Sequence, residues 1–153
     1  MATQLSPHFT LEELLFSQTA VRKQFTEQFT PPADVVENLR QLCIHVLEPL
    51  RNAIGYPVRV TSGYRCPRLN KLIGGAPKSQ HQMGMAADLV DNKNGNKYLF
   101  DKIKELGLPF DQIIDEFGYQ WVHVSYDRTK ATQRGQSLQA IKKGNGQTGY
   151  IEI

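Results

Sequence analysis

His81 and Asp88 stand seven residues apart in Ser79-Gln80-His81-Gln82-Met83-Gly84-Met85-Ala86-Ala87-Asp88, an imidazole and a carboxylate separated by a glycine and small apolar residues. Nitrogen and oxygen donors of this kind suit a borderline divalent cation such as zinc. Two donors do not make a site. The third candidate is His123, in Trp121-Val122-His123-Val124-Ser125-Tyr126. Three protein ligands leave one position of a tetrahedral ion open for water, which separates catalytic from structural zinc. Such an ion polarises a bound carbonyl and brings the pKa of its water towards neutrality.

The elements that must carry these residues follow from hydrophobic periodicity. Trp121, His123 and Ser125 alternate with Val122, Val124 and Tyr126, so residues 120–126 form a strand with the histidine on one face. Residues 110–116 read as its hairpin partner across a tight Phe117-Gly118-Tyr119 connection, and residues 85–90 as a strand carrying Asp88. Residues 57–61 are a further short strand, followed by the turn Ser62-Gly63-Tyr64-Arg65 and a short helix over 67–73. Thr10-Leu11-Glu12-Glu13 is a capping box and predicts a helix over about 11–16. Residues 17–30 read as an ordered loop. Thr30 caps the next helix, with Pro31 at its first position. An apolar stripe from Val35 through Leu39, Leu42, Val46 and Leu50 to Ile54 makes this helix long. Gly55 stops it, and Pro49 should kink it or split off its last turn. His45 sits beside the stripe and reads as structural. Residues 96–106 form another helix, and the polar stretch 127–153 predicts at most one edge strand. With no repeat and no linker, residues 1–153 read as one α+β domain, a small antiparallel sheet packed against helices.

Composition bounds the partners. A chain of 153 residues, 40% hydrophobic and 22% charged, can bury a sizeable core. It has no apolar run of the roughly eighteen residues that a membrane span needs. The N-terminus lacks a basic segment followed by an apolar one, so the product is expected to be cytoplasmic as made and to reach a cell wall only after release. A net charge of +3 is too mild for a nucleic-acid binder. The C-terminal cations Arg128, Lys130, Arg134, Lys142 and Lys143 read as a solvated face or as a weak attraction to a polyanion such as a bacterial cell wall. Cys43 falls on the apolar helix face and reads as a buried thiol. Cys66 lies in a turn near the proposed site and is a soft ligand in principle, but it has no CxxC partner. A monomer is expected.

Taken together, Ser62-Gly-Tyr-Arg65, Ser79-x-His81-x-x-Gly84-x-Ala86-x-Asp88 and Trp121-x-His123 resemble the zinc-dependent D-Ala-D-Ala carboxypeptidase and endolysin family, peptidase family M15. The resemblance covers roughly residues 5 to 140. It implies a hedgehog/DD-peptidase-like fold, with His81, Asp88 and His123 as zinc ligands. It also implies that Arg65 binds the substrate carboxylate or a developing oxyanion, a task suited to paired guanidinium donors. The bland alternative for Arg65 is a turn residue in a salt bridge. Ser79, Tyr64 and Trp121 are assigned to substrate contact, or in the case of Ser79 to a plain turn. One departure matters. Well-known members carry an acidic general base three positions before the last zinc histidine, and here that position is Gln120. An amide positions a water but cannot take its proton. Asp115 and Glu116 are the nearest carboxylates, and Glu116 is the candidate that reaches across the hairpin. The resemblance thus implies a zinc peptidase acting on peptidoglycan stem peptides. The alternative is a catalytically impaired, zinc-containing module that binds cell wall.

Overall fold

Thr10 opens the first helix as its capping sequence dictates. The Glu13 N–H donates to its hydroxyl at 3.2 Å, and α1 (Leu11–Leu15) buries Leu14 and Leu15. The structure, a computed structural model, describes residues 2–153. Ahead of α1, β1 (Gln4–Ser6) and β2 (Phe9–Thr10) pair as a small antiparallel ribbon. The stretch 17–30 is not a loop. Ser17 caps α2 (Gln18–Lys23), taking the Ala20 N–H at 3.1 Å, and Thr26–Phe29 is a 3-10 turn. Ala20 is the buried residue of α2, so no apolar periodicity announces that helix.

The next helix begins later than its cap signal suggests. Pro31 and Pro32 both precede α3 (Ala33–Leu42), and no side chain caps it. Its stripe continues to Gly55, where a φ of 79° ends the run. The disturbance expected at Pro49 takes the form of a π-helical turn over Cys43–Leu47, in which the Glu48 N–H bonds the Cys43 carbonyl before α4 (Glu48–Ile54). A proline ring crowds the carbonyl four residues back, and widening the helix just before it relieves that contact. Burial pushes the Cys43 thiol up to about 12, so it is an inert core group. His45 is structural, stacked on Tyr126 at 4.7 Å and bonded to Gln41 at 3.0 Å.

The main sheet has six strands. They are β3 (Arg59–Ser62), β4 (Ala86–Val90), β5 (Gln112–Glu116), β6 (Trp121–Ser125), β7 (Gln136–Lys142) and β8 (Thr148–Glu152), in the spatial order β3-β4-β6-β5-β7-β8. The remaining helices are α5 (Pro67–Leu72) and α6 (Asn96–Glu105). The architecture is α+β as expected, but the sheet is mixed: β5 and β7 run parallel while the other pairs are antiparallel. The C-terminal stretch also supplies two strands, and the first of them lies inside the sheet. What returns the chain beside β5 is the buried Asp111 carboxylate. It takes the Arg134 N–H at 3.0 Å, Arg134 Nη2 at 2.7 Å and Lys130 Nζ at 3.0 Å.

Strand alternation divides the sheet into two faces. Ala87, Leu89, Ile113, Val122 and Val124 join Leu39, Leu42, Leu50, Leu99 and Ile103 in one core. The opposite face carries Asp88, His123, Ile114, Glu116 and Trp121, and it is the face that the cross-strand register aligns for chemistry.

Candidate metal centre

Asp88 in β4 and His123 in β6 sit directly opposite each other in the ladder. His81 arrives from the neighbouring 3-10 turn Gln80–Met83, whose first N–H groups are capped by Ser79; its Oγ accepts from the His81 N–H at 3.2 Å. Gly84, at φ 74°, turns the chain from that helix towards β4. A Cβ there would lie 2.7 Å from the Val35 carbonyl oxygen, so the residue must be glycine for both reasons. The seven-residue spacing between His81 and Asp88 is thus the length of one tight turn plus its approach to the strand.

The donor atoms converge. His81 Nε2 and His123 Nδ1 each lie 3.2 Å from Asp88 Oδ1, and one ligand atom from each residue falls within 4.8 Å of the others. His81 Nδ1 is 2.7 Å from the Gly63 carbonyl, which must receive a proton from it. That contact fixes the tautomer and leaves the Nε2 lone pair aimed at Asp88. Two acceptors facing each other in a buried site require a positive charge between them. A charge-assisted hydrogen bond would close to about 2.7–2.9 Å. Ligands about 2.0–2.1 Å from a tetrahedral ion are instead about 3.3 Å apart, close to the two spacings from Asp88 to the histidines, with all three donors within 4.8 Å of one another. The donor set therefore fits a divalent metal. When protons rather than an ion occupy this space, burial works to raise the Asp88 carboxyl, but the charge and hydrogen bonds of the two imidazoles outweigh it and hold the group well below the usual carboxylate range.

The turn Ser62-Gly63-Tyr64-Arg65 supports this set from behind. The Arg65 N–H donates to the His81 carbonyl at 3.0 Å, and the Gly63 carbonyl orients the His81 ring. A Cβ on Gly63 would meet the Leu14 carbonyl oxygen at 2.3 Å. Gln28, fully buried, knits the same turn to the rest of the chain. It donates to the Leu15 and Tyr64 carbonyls and accepts from the Cys66 N–H, each at 2.8 Å. Neither Gln28 nor the Gly63 carbonyl was visible in the pattern of charged and metal-ligating residues. The glycine in Ser62-Gly63-Tyr64-Arg65 was the available signal. Gln80, beside His81, donates to Asp111 at 3.1 Å and couples this turn to the C-terminal crossover.

A cleft of about 840 Å³ opens over the ligands. Arg65, Ser79, Trp121 and Glu116 form parts of its wall. Arg65 Nε is buried with no hydrogen-bond partner among the described residues, and burial lowers the guanidinium's pKa against the raising effect of Asp88 and Glu116. Tyr64, by contrast, is buried in the core and does not face the cleft. Gln120 is exposed in the hairpin turn, its N–H on the Glu116 carbonyl and its own carbonyl on Asn96. It is not part of the cleft wall. Asp115 is turned to the other face, where it takes the Tyr119 N–H at 2.5 Å. Glu116 pairs with Trp121 and so projects on the same face as His123. Burial pushes its carboxyl up to about 7; the nearby His123 and Arg65 oppose the shift, and Asp88 and Asp115 add to it. Cys66 is buried and stands outside the ligand group.

No helix is long and apolar enough to cross a membrane. A comparison with curated proteins returns no match. A model of the family described as Peptidase M15 matches residues 7–125, a span that contains the three converging donors, Arg65 and Glu116, and the chain belongs to that family.

Proposed function

We propose that the chain is a zinc peptidase that hydrolyses the short stem peptides of peptidoglycan, as a carboxypeptidase or an endolysin-type endopeptidase. The observation that carries this reading is Glu116, a buried carboxyl that lines the cleft on the same face of the sheet as His123 and Asp88. A carboxylate placed there is of the right chemical type for a general base. His81, Asp88 and His123 would hold the ion, which when bound would polarise the scissile carbonyl and favour a nucleophilic water near neutrality. Glu116 would take a proton from the attacking water and pass it to the amide nitrogen as the C–O bond forms and the C–N bond breaks. Arg65, a cation of the cleft wall with no carboxylate partner among the described residues, holds the substrate carboxylate or the developing oxyanion. Ser79 and Trp121 contact the peptide from the cleft wall.

The second reading, a zinc-containing module that binds cell wall without cleaving it, is motivated by the amide at position 120. Gln120 lies in an exposed turn, and the carboxyl in the cleft is supplied by Glu116 instead, which favours turnover. The test is to incubate the zinc-loaded protein with peptidoglycan and follow released peptides by mass spectrometry. Cleavage that is lost in Glu116→Gln and kept in Gln120→Ala supports the proposal. No release from any of several cell-wall chemotypes, with zinc bound, sinks it in favour of the binding module.

A further inference from the structure

Residues 136–152 form a hairpin beyond the segment that the family match covers, yet they build a wall of the metal cleft. The register explains how. Glu116 pairs with Ala140 and Ala140 with Tyr150, so a single row across the site face reads Trp121, Glu116, Ala140, Tyr150. The next row carries Lys142 opposite Thr148. Ala140, the smallest side chain in its row, leaves space between the carboxyl and the half-exposed Tyr150 ring. Burial, with Glu116 as the neighbouring charge, raises the Tyr150 phenol, as expected if both face one cavity.

Lys142 is held in place without being neutralised. Its ammonium lies 4.8 Å from the centre of the Phe117 ring, which in turn meets Trp121 edge-on at 5.8 Å. An ammonium over an aromatic face is attracted by the ring quadrupole but keeps its full charge. Of the four cations on the cleft wall, Arg134 is bound to Asp111. Arg65, Lys78 and Lys142 have no carboxylate partner among the described residues. The same wall carries the Asp88 and Glu116 carboxylates, which act on Arg65, so Lys142 is the cation at the hairpin end of the cleft that no carboxylate of the described residues neutralises. β7 lies two strands from β6, about 10 Å across the sheet, a distance that a short extended peptide spans in about three residues.

We propose that the β7–β8 hairpin selects the substrate, with Lys142 binding a second peptide carboxylate that Arg65 does not hold. This rests on the peptidase reading above. Trp121, the sole tryptophan, lines the cleft, so its fluorescence reports occupancy whether or not cleavage follows. The experiment is stopped-flow titration of the zinc-loaded protein, before turnover, with two synthetic stem peptides that differ only in one internal carboxylate, free or amidated. Amidation should weaken binding about tenfold or more, the range of a hydrogen bond to a charged group. Lys142→Gln should remove the difference, Lys142→Arg should keep it, and Lys142→Glu should invert the preference. Discrimination that persists in Lys142→Gln, or is absent from the natural protein, overturns the proposal. Discriminating binding without product release would refute the peptidase reading and leave this one standing.

Discussion

Glu116 is a carboxyl whose surroundings oppose its ionisation, and that tension has two measurable consequences. In catalysis, Glu116→Gln keeps the shape and removes the proton acceptor. Turnover should fall roughly 10²- to 10⁴-fold, the usual worth of a general base, while elemental analysis still finds zinc at the natural protein's level. In stability, the sign follows from the direction of the shift. The folded-state pKa of about 7 is above the ordinary 4.5, so the group's contribution is full below pH 4.5 and is lost as pH rises through 7. A shift of this size corresponds to about 3 kcal/mol. In chelator, Glu116→Gln should therefore be more stable than the natural protein at pH 8, by up to that amount, and no more stable at pH 4. A zinc ion beside the carboxyl favours its charged form, so the acid limb of the pH–rate profile should fall below 7. Gly63 gives a complementary residue-scale test. Gly63→Ala drives a Cβ into the Leu14 carbonyl oxygen and displaces the carbonyl that orients His81. Partners of this kind are worth about 10- to 100-fold in metal affinity, and a competitive zinc titration should register that loss.

Among the elements, legibility tracks how much each one buries. The long helix could be read because apolar residues from Val35 to Ile54 repeat at helical spacing along it, and β6 because β-branched residues alternate with His123. The placement of Glu116 was within reach on the same grounds, since a hairpin joined through Phe117-Gly118-Tyr119 puts it on the histidine's face. α2 escaped because its buried residue is a single alanine, and β7 could be read only as an edge strand because Leu138 and Ala140 are its only buried apolar side chains. The parallel β5–β7 pair was illegible for a different reason. It depends on Asp111 meeting Lys130, Arg134 and Gln80, polar residues far apart in sequence whose pairing no periodicity encodes. Those partners hold the Asp111 carboxyl well below its usual range despite its burial, so its stabilisation is present above about pH 4 and is lost in stronger acid. Asp111→Ala removes the buried acceptor of the Arg134 N–H and of two cations that are themselves partly exposed, and it should cost about 1.5–3 kcal/mol in urea unfolding. It also frees Gln80 beside His81, so zinc affinity should drop in the same variant.

At the scale of the whole molecule, the two faces of the sheet divide stability from chemistry. The core lies on the helix side and contains none of the three metal donors, so the fold has its own source of stability. This differs from a zinc finger, where binding free energy and folding free energy are the same quantity. Removing the metal should therefore leave the far-ultraviolet circular dichroism largely unchanged. It should nevertheless lower the melting temperature, because an ion bound at the candidate site would favour the folded state. At a free zinc concentration of about 1,000 times Kd, that linkage is worth about 4 kcal/mol. For a domain of this size it amounts to roughly 10 °C. Calorimetry with and without chelator, paired with elemental analysis, measures both quantities on one sample. A chain that loses all secondary structure in chelator would mean that the helix-side core is too weak to hold the fold without the ion. A chain with no bound zinc and no shift in melting would mean that protons, not a metal, occupy the space between His81, Asp88 and His123.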